Sequence, residues 1–480
     1  MHRSSKTILQ TRVHAPDILK FSMTVSLCLI AVYLLSVTHN SRGARTPTWE
    51  SLDARPLPDW YDDAKVGIFI HWGVYSVPSI SHRVDGTLSE WFWWDWKRNS
   101  PNPALMSAHY KPGFTYQEFA PMFTAELFDP LQWVELFQAS GARYVVLTSK
   151  HHDGYALWPS RFSPNWNSLD VGPHRDLVGE LANATREKAP DIHFGLYYSL
   201  LEWFNPLYLS DKQDGSQRYV ENKMIPELKE LVTRYRPEVV WADGDWTAPD
   251  RYWNSTAFLA WLYNDSPVKD TVVTNDRWGR NTREAHGGFW TVRDRYNPKR
   301  LMEHKFENCL TLDRRSWGYR RNAHLSDYLT IEQLLTLVVQ TVSCNGNVLI
   351  NVGPTKDGTI GPLFEERLRQ LGSWLKLNGE AVYGSIPWKV QNDHLSDSVW
   401  YTTSKDRHSV YAFALKWPRR NTLVLGSVRL AVGARVSMLG HKGALTFGKS
   451  DGKTVIYFPA LSINELPSLW CWVLKMEGAF

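Results

Sequence analysis

Cysteine is scarce in this chain, with 4 residues among 480. Cys28 lies in a hydrophobic run near the amino terminus, so only Cys309, Cys344 and Cys471 remain, and they can form at most one internal disulfide. Disulfide bonds therefore do not hold this fold together. A chain of this length can instead bury a large hydrophobic core, in two or three domains of roughly 100–200 residues each.

Tracts of one charge sign and low-complexity stretches are also lacking. The chain has 54 Lys and Arg residues against 49 Asp and Glu, a formal net charge of +5 that is spread along the sequence. Without a basic block there is no electrostatic footprint for nucleic acid, and we expect no nucleic-acid partner. The composition, 43% hydrophobic and 21% charged, is that of a globular protein and not of a disordered, collagen-like or coiled-coil one.

Several catalytic signatures are missing as well. The sequence has no G-x-G-x-x-G or Walker motif for nucleotides, no H-E-x-x-H or paired-cysteine spacing for zinc, and no G-x-S-x-G elbow of a serine esterase. We therefore expect no metal and no cofactor. Tryptophan, by contrast, is abundant, with 24 residues. Most of these side chains belong in a core, but flat aromatic faces also suit a ligand with apolar C–H faces and polar edges, as sugars have.

The amino terminus has the pattern of a membrane-targeting segment. Residues 1–20 carry four basic side chains and one acidic one, and residues 21–38 form an apolar run. Residues 1–45 are predicted to direct the rest of the chain into the secretory pathway, as a cleaved signal or as an uncleaved anchor that would be its only membrane contact. Three N-x-S/T sequons, at Asn183, Asn254 and Asn264, agree with a glycosylated protein that is lysosomal or secreted.

Residues 46–385 alternate between short β-branched or aromatic runs and amphipathic helical patterns, which predicts one catalytic domain. The predicted strands are 66–71, 144–148, 193–199, 238–243, 271–275 and 347–352, and the predicted helices are 130–140, 222–235, 331–342 and 363–377. This strand–helix order predicts an α/β fold with a parallel sheet, and its length favours a (β/α)8-like barrel over an open sheet.

Residues 386–480 have a different pattern. Short alternating runs at 399–403, 409–415, 422–425, 435–439 and 454–458 are separated by turn residues, with no helical pattern between them. They predict a C-terminal antiparallel β-sandwich domain, which we expect to have a structural role against the barrel.

Polar side chains follow nearly every predicted barrel strand. His71 ends the first strand, His151 and His152 follow the second, Asp243 ends the fourth and Arg277 follows the fifth. Because the carboxyl ends of barrel strands carry the active site, we expect these side chains to form one site.

Each of these residues has more than one interpretation. His151 and His152 could bind a metal, but adjacent histidines on a strand point to opposite faces, which favours hydrogen bonding to ligand hydroxyls or a plain core role. Asp243 closes its strand on the same side as Trp241, whereas Asp245 falls in the loop, so Asp243 is the better-placed carboxylate. Carboxylates, imidazoles and indoles together suit glycoside hydrolysis, in which one carboxyl group protonates the leaving oxygen and another attacks or activates water.

Five segments carry a family resemblance. They are 60–78, 149–155, 241–246, 275–279 and 351–354, with the sequences WYDDAKVGIFIHWGVYSVP, SKHHDGY, WADGDW, NDRWG and NVGP. Their sequences and order resemble glycoside hydrolase family 29, the α-L-fucosidases, from about residue 50 to the carboxyl terminus, and most closely the animal lysosomal or secreted enzymes. The resemblance implies a (β/α)8-like barrel with a β-sandwich, no metal, and retaining cleavage of terminal α-L-fucose from glycoproteins and glycolipids.

The resemblance also implies roles for individual residues. Asp243 matches the family nucleophile. For the acid/base we choose Asp294, at the end of a loop like that of the family, with Glu307 as the alternative. The positions around the fucose are matched by His71, Glu90, Trp91, His151, His152, Tyr198, Trp241 and Arg277, with Tyr197 adjoining Tyr198 as its alternative.

Other functional classes stay open at this point. A catalytically silent fucose-binding lectin would keep the histidines and tryptophans but lose a carboxylate. A metal-dependent hydrolase would be sensitive to chelators, and a different retaining glycosidase on the same barrel would prefer another sugar. The expected partners are fucosylated glycans, and the sequence permits a homo-oligomer.

Overall fold

The structure is a computed structural model that describes residues 43–81, 88–98 and 102–480. The predicted leader lies outside these residues, except for positions 43–45. No helix in the described part of the chain is long and apolar enough to cross a membrane. Residues 47–480 form one structural unit, with a parallel sheet up to Val352 and antiparallel sheets from Ile386 onward.

The central sheet consists of parallel strands in the order β5-β4-β3-β2-β1-β7-β6. Their bounds are β1 Val66–Ile70, β2 Tyr144–Lys150, β3 His193–Ser199, β4 Val239–Asp243, β5 Val273–Thr274, β6 Phe306–Thr311 and β7 Gly346–Val352. All six strands expected from the sequence are present, and β6 is additional. Strand β6 has no clear signal in the sequence, because Glu307 and Asn308 interrupt its apolar pattern, although both side chains are buried.

Residues 288–290 connect the two edges of this sheet. The amides of Gly288 and Phe289 donate to the carbonyl of Thr274 in β5. On the other side, Trp290 forms a parallel bridge with Phe306 at the start of β6. This short segment thus takes the place of an eighth strand, and the predicted (β/α)8-like barrel is confirmed.

Helices connect and cover the barrel strands. They are α1 Trp49–Asp53, α2 Asp59–Ala64, α3 Phe92–Lys97, α4 Asn102–His109, α5 Pro130–Ser140, α6 Leu177–Lys188, α7 Pro206–Asp214, α8 Ile225–Tyr235, α9 Asp250–Trp253, α10 Ser255–Asn264, α11 Ile331–Ser343 and α12 Pro362–Asn378. Shorter 3-10 turns occur at Val74–Ser76, Ser89–Trp91, Tyr116–Met122, Asp245–Thr247, Leu325–Asp327, Gly379–Ala381 and Arg419–Asn421.

Local sequence explains where these helices begin and end. Asp129 accepts hydrogen bonds from two amides of the first turn of α5, and Gly141 ends that helix in a left-handed conformation. The helix predicted at 222–235 begins only at Ile225, after a π-helical turn at Val220–Met224. Pro226 has no N–H for the carbonyl four residues earlier and its ring would collide with that carbonyl, so the preceding turn widens.

The C-terminal region contains two antiparallel sheets. The larger has the strand order β12-β15-β10-β9-β8 and the smaller has the order β11-β14-β13. Their bounds are β8 Ile386–Asn392, β9 Val399–Thr403, β10 Ser409–Ala414, β11 Thr422–Leu425, β12 Leu430–Met438, β13 Thr446–Ser450, β14 Lys453–Tyr457 and β15 Trp472–Ala479. The predicted antiparallel architecture is confirmed. Strands β8, β13 and β15 were not predicted, because their sequences alternate less regularly.

Helix α12 joins this region to the barrel. Trp374 of α12 donates its indole N–H to the carbonyl of Cys471 over 2.8 Å and packs 6.3 Å from the ring of Phe413. A separate apolar cluster lies between the two antiparallel sheets. Cys309, Cys344 and Cys471 are buried and free, so the three cysteines of the described chain form no disulfide with one another.

Candidate active site

A cavity of about 460 Å³ opens at the carboxyl ends of the barrel strands. His71 follows β1, His151 and His152 follow β2, Asp243 ends β4 and Arg277 follows β5, and all five line this cavity. Nine of the eleven side chains expected from the sequence to serve catalysis or fucose binding meet here. The other lining residues are Phe69, Leu88, Glu90, Trp91, Tyr197, Trp241, Trp246, Arg283, Arg293, Asp294 and Trp317.

Arg277 joins two carboxyl groups of the cavity. Its Nη1 donates to Oδ1 of Asp243 over 2.9 Å, and its Nη2 donates to Oδ1 of Asp294 over 2.6 Å. Tyr197 donates its hydroxyl proton to the other oxygen of Asp243, Oδ2, over 2.9 Å. Two carboxylates, one guanidinium and one phenol therefore form a single hydrogen-bonded cluster.

The electrostatics of this cluster favour an ionised Asp243. Burial raises the pKa of Asp243, but the positive charges of Arg277 and Arg283 and the hydrogen bond from Tyr197 outweigh burial, so the pKa lies below its ordinary value. Asp294 has a different setting, because its side chain is 42% exposed against 11% for Asp243. One carboxylate is enclosed and anionic, and the other stands at the open edge of the cavity, within reach of water.

The turn after β4 separates Asp243 from the neighbouring Asp245. Gly244 has a φ of 80°, in the left-handed region that favours glycine, and it ends the strand directly after Asp243. Asp245 instead forms a bidentate ion pair with Arg283, at 2.6 and 2.8 Å. Asp245 is thus occupied by that pair, while Asp243 faces the cavity.

Hydrogen bonds fix how His71 and His152 face the cavity. The amide nitrogen of Asn351 is a donor elsewhere, so its Oδ1 accepts the Nδ1–H of His71 at 2.7 Å. The hydroxyl of Ser199 donates to a backbone carbonyl, so its oxygen accepts the Nδ1–H of His152 at 2.6 Å. Burial lowers the pKa of both imidazoles, to about 4 for His71. The network therefore assigns neutral rings, each with an unprotonated Nε2 that can accept a hydrogen bond from a hydroxyl group.

Two further lining residues carry buried polar atoms without a partner in the described chain. They are Nδ1 of His151 and Oε1 of Glu90. The second oxygen of Glu90 is held by the hydroxyl of Ser316 and by the amides of Trp317 and Gly318, at 2.7–3.2 Å. An unpaired buried polar atom costs about 1–3 kcal/mol, which a ligand rich in hydroxyl groups can offset.

The expectation that His151 and His152 point to opposite faces is wrong. Strand β2 ends at Lys150, so both histidines lie in the turn beyond it, with ring centroids 4.1 Å apart. No group of three His, Cys, Asp or Glu side chains within the described ranges is arranged to hold a metal ion. The two imidazoles therefore lie side by side in the wall of the cavity.

Tyr198, which the sequence analysis places around the fucose, does not line the cavity, whereas the adjoining Tyr197 does. The hydroxyl of Tyr198 accepts from Lys150 at 2.9 Å and donates to Glu227 at 2.8 Å, and Tyr198 does not line the cavity. Adjacent strand residues face opposite sides, and Tyr197 pairs in register with Trp241 on β4, which does line the cavity. Alternation along β3 separates the two tyrosines, and the register of β3 against β4 decides between them.

Glu307 lies outside the cavity. Its Oε2 accepts from the hydroxyls of Tyr61 and Tyr144, each at 2.7 Å, and its Oε1 accepts the indole N–H of Trp241 at 2.8 Å. The side chain is fully buried, and burial raises the pKa of this carboxyl group. Glu307 therefore supports Trp241 from behind and does not itself line the cavity.

Several residues that line the cavity were not predicted from the sequence. Trp246 is 39% exposed, and its ring stacks on that of Trp91 with centroids 6.1 Å apart. It belongs to the WADGDW segment and could have been found there. Trp317 follows β6, so missing that strand hid it, and Arg283 and Arg293 lie on a long loop with no periodic pattern.

Comparisons with known proteins agree with this architecture. The family model described as Alpha-L-fucosidase matches residues 32–380, and that of the Alpha-L-fucosidase C-terminal domain matches residues 391–477. The chain is 56% identical to the alpha-L-fucosidase of Branchiostoma floridae, over 94% of this chain and 99% of that one. It is 54% identical to the plasma alpha-L-fucosidase of Homo sapiens, over 90% of this chain and 92% of that one.

Solved structures lead to the same family. The crystal structure of Thermotoga maritima alpha-fucosidase in complex with a mechanism based inhibitor matches with a TM-score of 0.78 and 33% identity, and covers 90% of this chain and 99% of that one. A second crystal structure of the same enzyme, in complex with fucose, matches equally well. With both family models matched along the chain and relatives above 50% identity, this chain belongs to the α-L-fucosidase family and is a glycoside hydrolase of that activity.

Proposed function

We propose that this enzyme cleaves terminal α-L-fucose from glycoproteins and glycolipids with retention of configuration, through a covalent fucosyl-enzyme. The observation that carries the proposal is the pairing of Asp243 and Asp294 through Arg277. One guanidinium can join two carboxyl groups only when they lie close together. Retaining glycosidases hold their two carboxyl groups roughly 5–5.5 Å apart and inverting ones roughly 6.5–9.5 Å apart, so the proposal requires the shorter separation between Asp243 and Asp294.

Asp243 is the nucleophile and Asp294 the acid/base in this mechanism. Asp243 attacks the anomeric carbon, the bond from that carbon to the leaving oxygen breaks, and Asp294 gives its proton to that oxygen. In the second half, Asp294 takes a proton from water, the water oxygen bonds to the anomeric carbon, and the ester bond to Asp243 breaks. Fucose leaves with its original configuration, and both carboxyl groups return to their starting states.

The remaining polar groups of the cavity bind the sugar. Nε2 of His71 and of His152 accept hydrogen bonds from hydroxyl groups of the sugar, and the unpaired atoms of His151 and Glu90 bind other hydroxyl groups. The indoles of Trp91 and Trp241 and the phenol of Tyr197 complete the set, with Arg277 beside both carboxylates. The Thermotoga maritima enzyme, whose crystal structure contains fucose, supports a sugar-binding role for this cavity.

Azide rescue tests the nucleophile. Asp243→Gly should abolish turnover of an activated aryl α-L-fucoside, because no carboxylate remains to attack the anomeric carbon. Azide should restore turnover from the vacated face and yield a fucosyl azide of inverted configuration. The assignment would be overturned if azide did not restore the activity of Asp243→Gly but did restore that of a variant of another acidic residue, with a fucosyl azide of inverted configuration as the product.

The same reagent separates the acid/base from the nucleophile. Asp294→Ala should slow substrates with poor leaving groups far more than activated aryl fucosides, because only the former need a proton on the departing oxygen. Azide should then intercept the fucosyl-enzyme and give a product of retained configuration. An equal loss with all leaving groups would contradict this role for Asp294.

We also propose a lysosomal or secreted enzyme with N-linked glycans. Asn183 and Asn254 are exposed, and Asn264 is half-buried at the end of α10. The names of the plasma and tissue relatives are compatible with passage through the secretory pathway. For protein made in animal cells, enzymatic removal of N-glycans should lower the mass. Asn183→Gln and Asn254→Gln should each make this decrease smaller by the mass of one glycan. A mass unaffected by deglycosylation would contradict the proposal.

A further inference from the structure

Asp276 is a buried carboxylate next to the catalytic cluster. It is fully buried, and no Lys, Arg or His side chain of the described residues forms an ion pair with it. Its Oδ1 accepts from the amide of Thr291 at 3.0 Å and from the hydroxyl of Thr291 at 2.6 Å. Its Oδ2 accepts from the amides of Glu284 at 3.1 Å and Val292 at 3.3 Å. All four donors belong to the loop that leads to Asp294.

The hydroxyl of Thr291 links Asp276 to Arg277. It has a single proton, which it gives to Asp276, so its oxygen is the acceptor for Nε–H of Arg277 at 2.9 Å. The guanidinium is planar and rigid, so fixing Nε also fixes the directions of Nη1 and Nη2. These two nitrogens hold Asp243 and Asp294. A hydrogen-bonded chain therefore runs from Asp276 through Thr291 and Arg277 to both carboxylates.

The backbone of the same loop needs external support. Val292 has a φ of 53° and Arg295 a φ of 58°, in the left-handed region, which is an unusual conformation for a β-branched residue such as Val292. The amide of Val292 donates to Asp276, its carbonyl accepts from Arg283 at 3.4 Å, and the amide of Arg295 donates to the carbonyl of Cys309 at 2.9 Å. A conformation of this kind persists only where surrounding contacts determine it.

We propose that Asp276 and Thr291 are positioning residues for the hydrolytic reaction. Asp276 holds the loop that carries Asp294, and through Thr291 it sets the orientation of Arg277 between the two carboxylates. Together they keep the acid/base within reach of the glycosidic oxygen while Asp243 faces the anomeric carbon. The inference rests on the proposed roles of Asp243 and Asp294.

Thr291→Val is the most direct test, because valine has nearly the same shape and lacks only the hydroxyl group. We expect kcat/KM for fucosides with poor leaving groups to fall by about 100-fold, the scale on which a misplaced catalytic group acts. For activated aryl fucosides we expect a decrease of less than about 5-fold, since these need little protonation. Thr291→Ser should restore most of the loss, because serine supplies the same donor and acceptor.

Thr454→Val is the matched control. Thr454 is also buried, and its hydroxyl donates to the carbonyl of Val428 at 2.7 Å in the antiparallel region. This control should leave the dependence on the leaving group unchanged. A loss in Thr291→Val that is equal for all leaving groups, or that Thr291→Ser does not reverse, would overturn the positioning role.

A second pair of variants covers the case in which Thr291→Val does not fold. Asp276→Asn should show the same selective loss, whereas Asp393→Asn should not, although Asp393 is likewise a buried carboxylate that accepts from backbone amides. If Asp294→Ala itself lacks the selective loss, the proposed acid/base fails. If Asp294→Ala shows the selective loss, but Thr291→Val and Asp276→Asn each lower kcat/KM equally for all substrates, only the positioning role fails.

Discussion

Asp153, beside the two cavity histidines, gives the enzyme a stability that depends on pH in a defined direction. Its side chain is 4% exposed, its Oδ2 accepts the hydroxyl proton of Tyr116 at 2.8 Å, and its Oδ1 accepts the amide of Tyr155 at 3.1 Å. Burial outweighs these hydrogen bonds and raises the pKa of Asp153 from 3.8 to about 6. The carboxyl group therefore binds its proton more tightly in the folded chain than in the unfolded one.

The sign and size of the effect follow from this difference. The stabilisation from Asp153 is fully present below its unfolded pKa of 3.8 and is lost as the pH rises through its folded pKa of about 6. At about 1.36 kcal/mol for each pKa unit, the loss amounts to about 3 kcal/mol. Asp153→Asn removes this titration, so the stability of the wild type relative to the variant should fall by about 3 kcal/mol in all, of which about 2 kcal/mol is lost between about pH 4 and pH 6.5. For a chain of this length, about 2 kcal/mol corresponds to about 2 °C in Tm.

Thermal unfolding of both proteins between pH 4 and pH 6.5, followed by calorimetry, measures this difference. Asp393→Asn is the control. Burial raises the pKa of Asp393, but hydrogen bonds from Ser427, Tyr401 and other donors hold it below its ordinary value. Stability from Asp393 is therefore lost only as the pH falls below about 4, so the difference between wild type and this variant should stay constant over the measured range. Parallel Tm curves for the wild type and Asp153→Asn would refute the reasoning.

Three further predictions concern the cavity. Glu307→Gln should lower Tm, because Tyr61 and Tyr144 lose a charged acceptor. It should reduce kcat/KM by the same factor for substrates with good and with poor leaving groups; a loss confined to substrates with poor leaving groups would make Glu307 the acid. The KM for an aryl fucoside should stay constant from pH 7 to 5 and rise as the pH falls through about 4, where His71 takes up a proton; a rise already near pH 6.5 would contradict the neutral ring. Trp246→Ala should raise KM more for fucosylated oligosaccharides than for a small aryl fucoside, without a change in Tm; equal effects would show that this exposed indole does not contact the aglycone.

The order of apolar strand segments and amphipathic helices was enough to predict the fold class from the sequence, because buried parallel strands are continuous apolar runs. It failed at β6, where Glu307 and Asn308 are polar yet buried, since their partners come from residues far away in the chain. It also gave no sign of residues 288–290, whose hydrogen bonds on both sides complete the barrel. Local patterns cannot reveal an element whose stability comes only from its tertiary neighbours.

In the candidate site too, local sequence patterns predicted some residues, whereas others depend on tertiary contacts. Residues at strand ends, such as Asp243 and Arg277, were found because the barrel brings the ends of all strands to one face. The choice between Tyr197 and Tyr198 needed the register of β3 against β4, which the sequence analysis did not apply. The support of Asp294 by Asp276 depends on contacts between two loops, and no spacing along the chain encodes them.

Covalent trapping tests the central claim most directly. The enzyme is incubated with a fluorinated fucosyl fluoride, which forms the glycosyl-enzyme quickly and releases it slowly, and the protein is then digested and sequenced by mass spectrometry. The mechanism predicts one fluorofucosyl group per chain, attached to Asp243 and absent from Asp245 in the same peptide. A label on Asp294 or Glu307, or an unlabelled enzyme that releases a sugar of inverted configuration, would contradict the mechanism.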